Sequence, residues 1–531
     1  MNVSRILRGA SSTALLFLAA CGGESSFDIE LVTRDCQETI EHLAARQGTM
    51  TVVVSGDGMS DIKREGVNFS DGALDLPEVP VGSNRVVTVS VFEGKNLSAR
   101  GRSEPFEVTS SGAPSVRVQL FRANAFTTWG EWENDTTCKP VRLAGPRAGH
   151  TATRLKDGRV LIAGGFSSLD KAGTGAGYLS TAEIFDPVTG AISSAGTVVP
   201  HAFAQSVLLR DGRVLIVGGT EMKDQVEEVT DTASIFDPAT GAWSQVKLQN
   251  ARKGHTVTLV AENGPLLVVG GVGADGKVVE TIEVFDAKAN TFSPVKGAAK
   301  LARAYHVAAN VGLNNAAVEI AGGIDDSGVP ETRSQFIVWN RDVDTITVSN
   351  QTVALPTGTV RSGVALFDLG NAGRRLGVIG GAKTWTPEAG KPGVGKPSGA
   401  SNEAQWIGTD PSQNKSGTLG LKAGARVNPC VVGLDAKRAL VLGGFSETQA
   451  FVPGAEVLAW QDPPKGSNAE PTFGSDKTEK LRDDGRGYTS CTDLGDGRVL
   501  VVGGIGKGGA AVSTAEIYLA QPPPASEQPA Q

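Results

Sequence analysis

Histidine is scarce in this chain of 531 residues, with only five, and so are tyrosine and methionine, with four each; aromatic residues make up 5%. No histidine follows His306, and no Ser-His-Asp spacing, phosphate-cradling glycine loop or zinc motif is present. Basic residues form no run or face that would neutralise a phosphate backbone and the formal net charge is −7, so nucleic acid is disfavoured as a partner. The apolar stretch Ala14-Leu-Leu-Phe-Leu-Ala-Ala20 is too short to span a bilayer as a mature helix. A single large core is unsuited to a chain of this length, which divides into a leader, an intermediate segment and a repetitive remainder.

What is abundant is glycine, at 68 residues. Seven apolar runs end in a glycine pair: Gly164-Gly165, Gly218-Gly219, Gly270-Gly271, Gly322-Gly323, Gly380-Gly381, Gly443-Gly444 and Gly503-Gly504. A period of roughly fifty to sixty residues signals an array of similar supersecondary units. Each unit reads as four strands. The first follows an Arg-x-x-His element such as Arg147-Ala-Gly-His150. Asp157-Gly158, Asp211-Gly212, Asn263-Gly264 and Asp496-Gly497 predict tight type I′ hairpins into the second strand. Continuous apolar runs such as Val160-Leu-Ile-Ala163 suit strands covered on both faces. Glu183-Ile-Phe-Asp-Pro187 and its equivalents supply the third strand and a turn into the fourth. The segment 383–400 of the fifth unit, rich in Gly, Pro and Lys and containing Trp385, reads as a structureless insertion.

Taken together, the Arg-x-x-His, Asp-Gly-Arg, Gly-Gly and Glu-Ile-Phe-Asp-Pro elements resemble the kelch repeat. That resemblance covers about 146–519 and implies a seven-bladed kelch-type β-propeller, an all-β fold. The seventh unit runs out of chain before its fourth strand, and the expectation is that 135–143 supplies that strand and closes the ring. The propeller then occupies 125–519, with a Pro/Gln tail over 520–531. Ahead of it, 27–124 carries alternating strand-like runs and resembles a small Ig-like or prealbumin-like β-sandwich, with a short helix over 36–47.

Leu18-Ala-Ala-Cys21 resembles the bacterial lipobox. It implies a leader peptide over 1–20, lipidation of Cys21, a linker over 21–26 and attachment to a membrane through acyl chains. Gly22 follows where an inner-membrane retention signal would place Asp, which points to an outer-membrane lipoprotein of the bacterial cell envelope. Four cysteines remain in an oxidising compartment. Of three possible pairings, Cys36 with Cys138 and Cys430 with Cys491 are preferred, the latter on neighbouring innermost strands; free buried thiols are the alternative.

Candidate ligand-binding residues are Arg147, Arg303, Tyr305, His306 and Trp385. Arg303-Ala-Tyr-His306 is similar to the Tyr-His element of galactose oxidase-like copper enzymes, but the second histidine that site needs is lacking. His150, His255 and His306 occupy matching places around a ring, with Ala204 at the equivalent place and His201 three residues earlier. Such spacing exceeds what one ion bridges, and no metal or cofactor is expected. The reading is a non-catalytic binding or scaffolding module for a protein or glycan ligand, contacted by loops after the glycine pairs. The alternative is a carbohydrate-active enzyme resembling sialic-acid mutarotases, with Glu221, Glu227, Glu228, Asp325 and Asp326 as channel-mouth candidates.

Overall fold

The computed structural model describes residues 13–18, 29–36 and, apart from short internal stretches, 48–521. Cys21, the linker and nearly all of the tail lie outside the described residues, as does the proposed helix beyond Cys36. Among the described residues the only helix is a 3-10 turn at Gly370–Ala372.

Seven four-stranded antiparallel sheets are arranged as blades I to VII of a β-propeller. Blade I is typical: Thr151–Arg154, Val160–Ala163, Thr181–Phe185 and Ile192–Thr197 pair in that order from the axis outward. Its second strand is buried at every residue, as expected of a strand covered by blades on both sides. The innermost strands neighbour one another all the way round, with Ser490–Asp493 of blade VII beside Thr151–Arg154 of blade I.

The glycine pairs are what allow the blades to meet. The second glycine of each pair donates its N–H to a carbonyl at the head of the next blade: Gly165 to His201, Gly219 to Arg252, Gly271 to Arg303, Gly323 to Thr359, Gly381 to Arg426, Gly444 to Arg486 and Gly504 back to Arg147, all at 2.7–2.9 Å. This girdle is complete. Both glycines have positive φ, and a Cβ on Gly270 would lie 1.9 Å from the Arg303 carbonyl oxygen, so no other residue fits without moving a blade.

Buried side chains reinforce the girdle. The guanidiniums of Arg147, Arg252, Arg303, Arg426 and Arg486 are each buried and donate to the carbonyl of the first glycine of their own blade's pair. Four face a third-strand carboxylate: Arg147 with Glu183, Arg252 with Glu283 at 2.5 Å, Arg426 with Glu456 at 3.6 Å and Arg486 with Glu516. Arg303 instead donates to Gln335 Oε1 at 2.8 Å, and its charge is met by Glu331, before the third strand, at 3.7 Å. In blade II, His201 stands in the arginine's place and bonds Gly218 O and Ser234 Oγ, both at 3.1 Å. In blade II the anchor and its third-strand partner therefore change together, neither of them charged, so no unpaired buried charge is left behind.

Several expectations are corrected. The ring is closed not by 135–143 but by Phe126–Thr128, which runs antiparallel to Ala515–Leu519 as the fourth strand of blade VII. Thr137–Pro140 instead folds back on Gly130–Asn134, in a hairpin whose Cys138 is tied to Cys36. The Asp-Gly hairpins are not type I′, for Gly158, Gly212 and Gly497 have positive φ and the aspartates before them do not. The Leu155 carbonyl accepts from Gly158 and the Leu155 N–H donates to Arg159 O, which is a type I turn closed by a left-handed glycine. Asp157 Oδ1 then accepts the Arg159 N–H at 3.1 Å. The insertion of the fifth unit is a β-hairpin of Ala382–Glu388 and Lys391–Ala400; alternate positions pair readily once Gly390, at φ +72, makes the turn.

The segment before the propeller forms one nine-stranded sheet, wrapped about a core that includes Ile29, Leu31, Val52, Val54, Val89 and Val118. It is not purely antiparallel, because Ile29–Thr33 pairs in parallel with Val116–Arg122, strands distant enough in sequence for a crossover. Thr13–Leu18, read from the sequence as part of the leader, lies antiparallel to Ile29–Thr33. Phe121 and Trp129 bury themselves with Val160, Phe185 and Leu500 where this sheet meets blades I and VII.

Candidate functional site

Two residues beyond each arginine, or its substitute, the backbone turns through the left-handed region. The seven residues at that place are Gly149, Phe203, Gly254, Tyr305, Arg361, Asn428 and Tyr488, with φ between +52° and +65°. They form a collar at the end of the channel that carries the glycine-pair loops. Successive members are linked by backbone hydrogen bonds: Gly149 N–H to Tyr488 O, Phe203 to Gly149, Tyr305 to Gly254, Arg361 to Tyr305 and Asn428 to Arg361, at 2.8–3.0 Å. Repeating one conformation in every blade is what makes these links geometrically possible. For a side chain other than glycine it costs roughly 1–2 kcal/mol per position, yet five of the seven bear one.

Four of those side chains, Phe203, Tyr305, Arg361 and Tyr488, come together at this end of the channel. The Arg361 guanidinium lies 4.6 Å from the Tyr305 ring centroid and 5.5 Å from that of Trp385, within the range of a cation–π attraction. Burial pulls its pKa down, but the phenolic groups of Tyr305 and Tyr488 outweigh that and hold it above the ordinary arginine value. Arg361 Nε is buried without a hydrogen-bond partner. Tyr488 packs against Phe203 at 5.1 Å and Phe445 at 4.7 Å, and Phe166 against Phe203 at 5.3 Å. On the side of blades III and IV the 382–400 hairpin forms a roof: Trp385 Nε1 donates to Pro392 O, the Gly393 N–H to Gly276 O, and the Tyr305 hydroxyl to Gly393 O. Phe203, Tyr305, Arg361, Phe445 and Tyr488 remain half-buried.

The sequence-derived candidates separate into two groups. Tyr305 and Trp385 meet in the collar, with ring centroids 5.1 Å apart. Arg147 and Arg303 are wholly buried girdle anchors. His306 is buried too, its Nε2 2.9 Å from Thr256 Oγ1 in the neighbouring blade; His150 meets Ser490 Oγ of blade VII in the same way at 2.8 Å. Burial, then the nearby arginines, lower the pKa values of His150, His255 and His306 to about 3. They are neutral in the folded chain. Among the described residues no group of three or more His, Cys, Asp or Glu side chains is placed to hold a metal ion.

The proposed acidic residues also have local duties. Glu227 accepts from the Tyr178 hydroxyl at 2.8 Å. Asp325 Oδ1 accepts the N–H groups of Ser327 and Val329, both at 2.9 Å, in a turn. The seven collar residues include no carboxylate, so the collar itself has no pair of carboxyl groups for general acid–base work. What it offers is aromatic faces around one guanidinium, suited to stacking and to polar recognition. The four cysteines are joined as Cys36–Cys138 and Cys430–Cys491, with S–S distances of 2.00 and 1.93 Å; the second bridges the innermost strands of blades VI and VII.

Four collar residues, Phe203, Arg361, Asn428 and Tyr488, escaped the reading of the sequence. The available signal was positional: each lies two residues after the repeat's arginine, histidine or threonine anchor. Comparison with protein-family models and with curated proteins finds no match. Among solved structures, that of YjhT is similar over 63% of this chain and 99% of its own, at 14% identity and a TM-score of 0.45.

Proposed function

We propose that the protein is a binding module whose collar takes a protein or glycan ligand, and that it performs no chemistry of its own. One observation carries this reading: five collar positions keep a side chain in a conformation that favours glycine, and those side chains are aromatic, cationic or amide. A rigid ring that presents aromatic rings and an arginine at fixed geometry provides anchor groups with little ordering entropy to lose on binding.

The repeat pattern supports a kelch-type assignment, and Leu18-Ala-Ala-Cys21 supports lipidation at Cys21. On this reading the processed protein is held at the outer membrane by acyl chains, with the propeller in the aqueous envelope. An Ig-like or prealbumin-like role as a spacer is the corresponding proposal for 27–124.

The test is retention on a glycan array and on immobilised envelope proteins, using a form that lacks the leader and Cys21, beside the same form carrying Tyr305→Ala or Arg361→Gly. Ligand retained by the parent and lost from both variants, without turnover, supports the reading. Product formation, or equal retention by all three, overturns it. Lipidation is checked separately by incorporation of labelled palmitate, which Cys21→Ser abolishes.

A further inference from the structure

At the opposite end of the innermost strands from the collar, a cleft of about 870 Å³ separates the N-terminal sheet from the hairpin side of blades I and VII. That volume falls within the range of small-molecule sites. Its walls are rich in charge, but most of that charge is paired within one wall. Arg117 meets Glu30 at 2.9 Å, Arg159 meets Asp157 at 2.7 Å and Arg498 meets Asp496 at 2.8 Å. Asp186 Oδ1 accepts the Val188 N–H.

Two guanidiniums are left over. Arg102 at the end of Asn96–Ser103 and Arg154 at the end of Thr151–Arg154 both line the cleft, one from each wall. Among the described residues neither has a hydrogen bond or ion pair; Glu104, which also lines the cleft, pairs with neither. The floor is shaped around one of them: a Cβ on Gly495 would lie 2.1 Å from Arg154 Nη1, so the glycine leaves that guanidinium its place.

We propose that this cleft binds an oxyanion-bearing ligand, phosphate or carboxylate, held between Arg102 and Arg154. A guanidinium offers a planar fork of donors that matches either group, and two uncommitted forks on facing walls of a concave site strengthen the local positive potential. A bound anion would bridge the sheet and the propeller. The free anion and a lipid headgroup carry the same chemistry, and the site lies on the sheet that follows the proposed anchor.

The experiment uses the full chain carrying Cys21→Ser, so that no acyl group contributes. Inorganic pyrophosphate and citrate are titrated calorimetrically, and co-sedimentation is measured with phosphatidylglycerol and with phosphatidylcholine vesicles. The expected result is one-to-one binding of at least one soluble anion, weakened about tenfold by Arg102→Gln and by Arg154→Gln, reduced by salt, and unchanged by Tyr305→Ala in the collar. Binding to phosphatidylglycerol vesicles alone, lost in both arginine variants, identifies the ligand as a lipid headgroup. Absence of binding to every probe, or binding unaffected by both variants, overturns the proposal. Both arginines are exposed, so thermal unfolding of the variants serves as the control for folding.

Discussion

The girdle and the collar are two sevenfold rings set two residues apart in every repeat, and they use that symmetry in opposite ways. In the girdle the chemistry repeats with the backbone: five arginines, mostly with a glutamate, and a glycine pair in each of seven blades. Where a blade departs, as with His201 and Ser234 in blade II, the partner departs with it. In the collar only the backbone repeats. Its φ angles all fall between +52° and +65°, while the side chains run from hydrogen to indole-stacked tyrosine. A ring that must close demands the same contact at each joint; a ring that recognises an asymmetric ligand must not look the same from every blade.

The strongest way to break this comparison is at a joint. Gly270→Ala puts a methyl group against the Arg303 carbonyl and should lower stability by on the order of 4 kcal/mol or prevent folding. Gly241→Ala is the control: its φ is also positive, at +73°, but nothing lies within 4 Å of the added Cβ, and about 1 kcal/mol is expected. Chemical unfolding of both variants separates close approach from backbone angle alone.

Next in size is Glu283→Ala, which leaves the buried Arg252 charge uncompensated and should cost roughly 3–5 kcal/mol. The double variant Glu283→Ala with Arg252→Met should recover much of that loss.

The buried histidines three residues beyond the girdle arginines Arg147, Arg252 and Arg303 give a pH signature. His150, His255 and His306 have folded-state pKa values near 3, below the ordinary value near 6.5 that holds in the unfolded chain. The unfolded state therefore takes up protons first as pH falls, and stability present above about pH 6.5 is lost towards pH 3. At pH 5 each should cost about 2 kcal/mol. Unfolding midpoints measured from pH 7 to 4.5 should fall less steeply in His255→Gln. Glu319 acts in the other direction: burial raises its pKa to about 8, so it favours folding at low pH and loses that contribution as pH climbs from about 4.5 through 8. Glu319→Gln should flatten that limb.

The smallest expected effect on stability is in the collar. Arg361→Gly relieves a left-handed backbone angle while losing contacts with Tyr305 and Trp385, and should change stability by about 1 kcal/mol or less while abolishing ligand retention. A loss of stability as large as that of Glu283→Ala would place Arg361 in the framework and dissolve the distinction between the rings.

The blades were legible because each is local in sequence. Val160–Ala163, the turn at Gly158 and the glycine pair fall within a few residues of one another, so hydrophobic pattern and turn chemistry mark them directly. The closing strand was not legible. Phe126–Thr128 is three residues long and gains its partner Ala515–Leu519 from the far end of the chain, whereas 137–140, nearer the first repeat, is claimed by its own hairpin and a disulfide. Nor did 383–400 look like structure, since Pro and Gly mask a pairing that pays off only when Trp385 finds Tyr305. The candidate site was half visible: Tyr305 stood out within Arg303-Ala-Tyr-His306 and Trp385 within the insertion of the fifth unit, but Arg147, Arg303 and His306 belong to the repeated Arg-x-x-His element, and repetition here marks framework.

By itself, then, the order of amino acids determined the number of repeats, the strands of each, and the need for glycine where blades join, because each depends on neighbours close along the chain. Only tertiary structure decided which segment seals the seventh blade, that Tyr305, Arg361, Trp385 and Tyr488 share one place, and that Arg102 and Arg154 face a common cleft. Those outcomes depend on bringing together positions up to several hundred residues apart, and local preference carries no record of which distant surfaces will be buried against each other.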